Sequence, residues 1–427
     1  MLTSARPIAL DRSALRRWYL ANRARTAEIM NIFEPEAYYQ RPIALRHPFV
    51  FYEGHIPAFS CNTLIRAALG GPSIDPEFEL LFERGIDPES VDEAKRHDRG
   101  EWPDRSRVRA FGAMVDSAVL RAIDHAVLTD GNASPLLERG QAAFNILEHE
   151  EMHHETFLYM LHRLAIERKR PPRAVDAVSQ SEPAARGRVA IPAGPATLGA
   201  VRDAIPFGWD NEFDQHVVEV AAFEVDVNNT TNGDWLEFVR NGGPIPSFWL
   251  ERNGEHRLLG MFEEYPLPLS WPVYVTQAQA AAYAAWRGGR VMTEPEYHRA
   301  AFGTPDGSER PFPWGSATPD AAVHGNFNLR RFEPESVGVS PLGASAFGVH
   351  DLVGNGWEWT STVFAPFAGF EPMASYPRYS ADFFDGQHYL VKGASPVTSR
   401  NLVRRSLRNW YRPEYPYVYA TTRVLYD

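Results

Sequence analysis

Apolar residues recur at helical spacing along residues 8–170, and the periodicity vanishes after Val189. LDRSALRRWYLANRARTAEIM keeps its apolar positions on one face, with Asp11 or Ser13 placed to cap the start. RVRAFGAMVDSAVLRAIDHAVLTD repeats the pattern and is expected to stop near Gly131 and Asn132. SPLLERGQAAFNILEHEEMHHETFLYMLHRLAIERK reads as a third long helix, ended by Pro171 and Pro172. With a further helix around residues 60–70, these stretches predict a four-helix bundle. Residues 171–188, PPRAVDAVSQSEPAARGR, have no apolar period and read as a linker. Beyond them, short apolar runs such as VAIPAGPATLGA, HVVEVAAFEVDV and YLVKGASPV alternate with Gly, Pro, Asn and Asp. That texture predicts short strands and many turns, with one helix at 277–289. The expected organisation is α+β: a helical domain over 1–170, a linker over 171–188 and a mixed domain over 189–427.

Composition narrows the partners. Hydrophobic residues make up 44% and charged residues 23% of the 427, enough for large cores. The net charge of −11, with no basic block, argues against nucleic acid as a partner. No run reaches the roughly 20 apolar residues a bilayer span requires, so no membrane is expected. The first twenty residues lack an apolar signal core, and Cys61 is the single cysteine, so the cytoplasm is the expected compartment.

The chemistry concentrates in HEEMHHE, residues 149–155. Residues four apart on a helix lie about 40° apart around the axis, so His149 and His153 point the same way. Met152 and Thr156 flank that face, Glu148 sits near its edge, and His154 points away. Paired neutral imidazoles suit Zn, Fe, Cu or Ni. Three readings stay open at this level. One is a surface helix with a polar cluster. A second is a zinc peptidase with Glu150 as general base and a third ligand downstream, for which Glu167 is a candidate. In the third, the third ligand comes from upstream: His55, in PFVFYEGHIPAF, would complete a three-histidine site with open positions.

PFVFYEGHIPAF and HEEMHHE resemble the histidine motifs of the ergothioneine-type sulfoxide synthases, non-haem iron enzymes with a DinB-like helical bundle. FGWDNEF (207–213), TNGDWLEFV (231–239), RVMTEPEYHRAA (290–301), FPWG (312–315), GVHDLVGNGWEWTSTVF (348–364), VKGAS (391–395) and RNWYRP (408–413) resemble that family's second domain, of the formylglycine-generating-enzyme or C-type-lectin-like fold. The resemblance covers nearly the whole chain. It implies an Fe(II), O2-dependent enzyme that joins sulfur to C2 of the imidazole of hercynine, with His55, His149 and His153 as ligands. It also implies that Asn409 and Trp410 line the hercynine pocket. An aromatic face beside a quaternary ammonium gains about 0.5–2 kcal/mol of cation–π attraction.

The departures from the family pattern concern the donor. An Asp and an Arg that help hold a cysteine-type donor are replaced here by Tyr411 and Tyr415. Each lost charge-assisted bond costs on the order of 1–3 kcal/mol. A Gln before the second helix ligand is replaced by Met152. The family's catalytic tyrosine is missing from VFAPFAGF, which offers Phe364 and Phe367 instead. Arg96 and Arg99 match two donor-binding arginines, and Glu155 is a candidate to orient a ligand histidine. The ending RNWYRPEYPYVYATTRVLYD resembles the branch that makes selenoneine from hercynine and a selenosugar. The resemblance thus implies C–Se bond formation at hercynine C2. The alternatives are the same chemistry with γ-glutamylcysteine or cysteine, a metallopeptidase, or a non-catalytic carbohydrate-binding protein.

Overall fold

The computed structural model describes residues 10–83, 101–171 and 186–427. The chain forms two compact units. The first comprises residues 1–174 together with 374–376, and the second comprises 175–373 and 377–427. Most of the expected linker lies outside the described residues.

The first unit is helical. Its first helix, α1 (Arg12–Ile29), is capped by Asp11, whose side chain accepts from the Ala14 amide. Leu15, Tyr19, Asn22, Thr26 and Ile29 form its buried stripe, at the spacing of one helix face. Every residue of α2 (Phe49–Ser60) is buried, so this helix is core on all sides. Pro57 interrupts its hydrogen-bond ladder, and the chain continues as a π-helical stretch over Cys61–Ala68. After the short α3 (Pro76–Leu81) come α4 (Arg105–His125) and α5 (Gln141–Arg163). Helix α2 packs on α4, and α1 packs on α5.

Two expected boundaries shift. The second long helix ends at His125 rather than near Gly131. The third begins only at Gln141, because Arg139 and Gly140 adopt φ of 55° and 75° and break the chain from the preceding 3-10 turn. No described helix is long and apolar enough to cross a membrane.

The second unit is built on short strands. β8 (Gly356–Val363) and β9 (Tyr389–Ala394) pair antiparallel at the centre of a four-stranded sheet. β10 (Asn409–Tyr411) forms one edge and β11 (Ala420–Thr421), parallel to β8, forms the other. β1 (Arg188–Ile191), β4 (Phe223–Asp226) and β12 (Leu425–Tyr426) make a second sheet. β2 (Gly194–Leu198) pairs with β3 (His216–Val220), and β5 to β7 (Trp249–Arg252, Glu255–Leu259, Glu264–Pro266) form a meander. The core joins Ile191, Val225, Met292, Tyr297, Val349, Leu352 and Leu425.

The expected helix is present as α7 (Gln277–Trp286), and two more accompany it, α6 (Asn232–Arg240) and α8 (Glu294–Phe302). All three open with a reciprocal threonine cap, Thr231 with Asp234, Thr276 with Gln279 and Thr293 with Glu296.

A buried ion pair ties this unit together. Arg423 Nε donates to Glu358 Oε1 at 2.6 Å, and its other nitrogens donate to the carbonyls of Asp226, Val227 and His350. Both side chains are at most 1% exposed. Removing the cation strands a buried carboxylate, so Arg423→Met is expected to cost about 3 kcal/mol or more in urea unfolding. An unchanged midpoint would show that Glu358 has other compensation.

Candidate metal centre

The three histidines of the sequence analysis come together inside the first unit. One ligating nitrogen from each of His55, His149 and His153 lies within 4.8 Å of the others, the one such group among the described residues. His55 is supplied by α2, and the other two by successive turns of α5. The Nε2 atoms of His149 and His153 face each other at 3.2 Å. Two donors about 2.1 Å from one ion and roughly at right angles would stand about 3 Å apart.

Protonation fits the same purpose. Nδ1 of His55 lies 2.8 Å from the Phe82 carbonyl, which can only accept. The ring proton therefore sits on Nδ1, and Nε2 presents its lone pair. The surrounding shell is aromatic. Phe51 stacks on His55, Phe59 stacks on His149 with centroids 3.6 Å apart, and Phe157 stacks on His153. Burial in this shell pushes His55 down to about 4, against the opposing bond to Phe82. Burial also holds His149 and His153 well below the usual imidazole range, with the neighbouring histidines adding to it. All three are neutral bases near pH 7, the state a metal ion requires.

The rest of HEEMHHE faces elsewhere. Helix α5 is buried along most of its length, which removes the surface-helix reading. Glu150 is buried against α1, where Arg23 Nη1 donates to its Oε1 at 2.9 Å and Thr26 Oγ1 at 2.6 Å. A peptidase base must face the metal-bound water, so the Glu150 of a zinc protease is not reproduced here. His154 Nε2 also meets Thr26. Met152 is half-buried and Glu155 is buried. Arg96 and Arg99 lie outside the described residues.

One residue near the histidines was missed. The segment 374–376 packs with the helical unit: Asn145 Nδ2 donates to Ser375 Oγ at 2.9 Å, and the Tyr376 ring lies 5.4 Å from Phe59 and 6.3 Å from His149. Tyr376 is half-buried, whereas Tyr52, near His153, is 2% exposed. Tyr376 lies beyond VFAPFAGF, the stretch where the resemblance would place a tyrosine.

The remaining candidates belong to the second unit. Trp410 sits on edge strand β10 with Phe364 stacked on its indole at 4.1 Å, while Tyr379 and Phe383 flank it. Phe364 is 1% exposed, and Phe367 lies over the Arg408 guanidinium at 4.0 Å. Neighbouring strand residues point to opposite faces. Asn409 therefore shares its face with Tyr411, whose hydroxyl accepts from Asn409 Nδ2 at 3.2 Å, rather than with Trp410. Tyr411 and Tyr415 are stacked, their planes 5° apart, and both are half-buried.

Residues 174–426 match the model of the sulfatase-modifying factor enzyme 1-like domain, and residues 19–157 match the DinB superfamily. A hercynine oxygenase of Mycolicibacterium thermoresistibile is 32% identical over 463 residues, spanning 97% of this chain and 95% of its own. Another from Mycolicibacterium smegmatis is 34% identical over 352 residues, 75% of this chain and 78% of its own. The ergothioneine biosynthesis protein 1 of Neurospora crassa is 29% identical over 484 residues, 91% of this chain and 55% of its own. A DinB-type bundle with a three-histidine cluster, followed by a sulfatase-modifying-factor-type domain, defines a two-domain enzyme. The chain belongs to the hercynine oxygenase family.

Gly54 lets the centre form. A Cβ there would stand 2.5 Å from the Phe82 ring, and the Phe82 carbonyl is what holds His55. Gly54→Ala is expected to weaken Co(II) binding about tenfold with the helical fold kept. Gly112→Ala, whose Cβ would meet nothing closer than 3.7 Å, serves as the neutral comparison in the same titration.

Proposed function

We propose that the protein is a mononuclear non-haem Fe(II) enzyme that uses O2 to join selenium, carried by a selenosugar, to C2 of the hercynine imidazole. The observation that carries the iron reading is the donor set itself: three neutral imidazoles in an aromatic shell, two buried and His153 part-buried, with no carboxylate or thiolate in the group. When bound, the iron would supply a site for O2 reduction. An oxygen-sensitive Fe(II) site suits a reducing compartment, so the cytoplasm is the proposed location.

His55, His149 and His153 hold the ion. Trp410, with Tyr379 and Phe383 about it, takes the trimethylammonium group of hercynine by cation–π attraction. Met152, unable to donate, leaves hercynine to be fixed by other contacts. Asn409, on the opposite face of β10 from Trp410, orients Tyr411. Phe364, stacked on Trp410, gives the pocket an apolar floor, and Phe367 covers the Arg408 guanidinium behind it. The stacked pair Tyr411 and Tyr415 supports the donor assignment. Two phenols offer ring faces to sugar C–H groups and hydroxyls to sugar hydroxyls, and they offer no charge to an amino-acid donor. Arg96 and Arg99 are retained as donor contacts, and Glu155 as a partner that orients a ligand histidine. Tyr376 is the phenol placed to move a proton.

In the proposed reaction one C–H and one Se–H bond are lost, and a C–Se bond and an Se=O bond form. O2 takes up four electrons and ends as that oxygen and one water. The second reading keeps the reaction and exchanges selenium for the sulfur of γ-glutamylcysteine or cysteine. The names of the relatives favour it.

Anaerobic loading with Fe(II), then air, hercynine and either a 1-selenosugar or γ-glutamylcysteine, separates these by mass spectrometry. A selenium adduct of hercynine from the sugar alone supports the proposal. A sulfoxide adduct from γ-glutamylcysteine supports the second reading and sets aside the role given to the two tyrosines. No adduct from either donor overturns both. In the productive assay Tyr376→Phe is expected to lower kcat by about a hundredfold while Co(II) affinity stays unchanged. A kcat equal to that of the parent would remove Tyr376 from the proton route.

A further inference from the structure

The histidine helix has a second polar face, and no step of the proposed chemistry uses it. On α1, Trp18, Asn22 and Thr26 follow one another at four-residue spacing, and each bonds α5. Trp18 Nε1 donates to Glu151 Oε1 at 2.8 Å, and Asn22 Nδ2 donates to the Leu147 carbonyl at 2.9 Å. Thr26 makes two bonds. Its one hydroxyl proton goes to Glu150 Oε1, so the 2.8 Å contact with His154 must be donated by the ring, from Nε2 to Thr26 Oγ1. The run His154, Thr26, Glu150 is therefore directional, and Arg23 closes it. Arg23 Nη1 reaches Glu150 at 2.9 Å and its Nε reaches Asp116 on α4 at 3.0 Å. Asp116 also accepts from Tyr19 at 2.7 Å. Thr26, Glu150 and His154 are each at most 3% exposed.

Glu150 immediately follows His149, and His154 immediately follows His153. Rotating α5 about its axis moves both pairs together. A rotation of about 20° at a side-chain radius of roughly 5–6 Å displaces a ligand atom by about 2 Å, comparable to a whole metal–nitrogen bond. Aromatic packing around the histidines resists such rotation weakly, since apolar contacts are non-directional. A hydroxyl that must meet a carboxylate and an imidazole at once resists it strongly.

We infer that Thr26 is a positioning residue for the metal centre: by bonding Glu150 and His154 together it fixes the rotation of α5 at which His149 and His153 face His55. The inference rests on the reading of these three histidines as ligands.

The test uses the full-length protein and Co(II), read by its visible absorption and by titration. Thr26→Val keeps the shape and removes the hydroxyl. It is expected to weaken Co(II) binding about tenfold and to alter the d–d bands, and Thr26→Ser is expected to restore both. A loss of thermal stability with unchanged affinity and spectrum would make Thr26 a structural residue only and overturn the inference. Should Thr26→Val not fold, Arg23→Lys carries the same test. It keeps a charge beside Glu150 and loses the fork to Asp116, and unchanged binding there also overturns the inference. Failure of the parent protein to bind Co(II) overturns the ligand reading and this inference with it, whereas equal binding by parent and variants overturns this inference alone.

Discussion

A helix that carries polar residues on two opposite faces has to satisfy both in one rotational setting, and α5 is such a helix. Its front presents His149 and His153 to His55 in an aromatic shell. Its back presents Glu150, Glu151 and His154 to α1. Neither face could be left dry and unpartnered, since a buried unbonded polar group costs about 1–3 kcal/mol. The helices around α5 follow from this. α1 must supply donors at four-residue spacing, α4 must supply Asp116 to anchor Arg23, and α2 must be apolar on every side except at His55 and Glu53. Glu53 is satisfied in turn by Arg105 and Arg109 from α4.

The second unit solves a similar problem with a different device. Short strands with long loops bury too little regular hydrogen bonding to hold themselves, so charged pairs are buried between them. Arg423 with Glu358 joins the end of the chain to the central strand. Arg408 grips Glu294 with two bonds, donates to the Ala365 carbonyl and meets the rings of Phe364 and Phe367, of which Phe364 stacks on Trp410. Lys392 meets the same Glu294 at 3.6 Å, and burial lowers its ammonium to about 8. The position of Trp410 on an edge strand is thus held from behind by charge and from one face by a stacked phenyl ring.

Much of this was legible in the residues, for identifiable reasons. Amphipathic helices announce themselves, so α1, α4 and α5 were expected. α2 has no polar face, so periodicity could place only a vague helix near 60–70, and its start at Phe49 was hidden. The breaks at His125 and Gly140 depend on backbone angles that a hydrophobic pattern does not encode. α6 and α8 are nine residues each, too short for a period to stand out, although their threonine caps are written in the sequence as T-x-x-D and T-x-x-E. The face shared by His149 and His153 follows from spacing. The carbonyl of Phe82, the hydroxyl of Thr26 and the ring of Tyr376 do not, because each arrives from a distant stretch of chain.

Charge decides what such a site asks of its donor. In the proposed reading three neutral ligands would leave a divalent ion with its full charge, in a shell that screens it poorly. An anionic donor atom is therefore favoured whatever it is attached to, and the ionised chalcogen of either candidate donor meets that demand. Selectivity must then come from the rest of the donor molecule. A cysteine-type donor brings an ammonium and a carboxylate, which need opposite charges to be worth desolvating. A sugar brings hydroxyls and C–H faces, which need hydroxyls and aromatic rings. Tyr411 and Tyr415, stacked and half-buried, provide the second set and not the first. In the proposed reading the metal centre is indifferent between sulfur and selenium, and the two phenols are where the choice of donor is made.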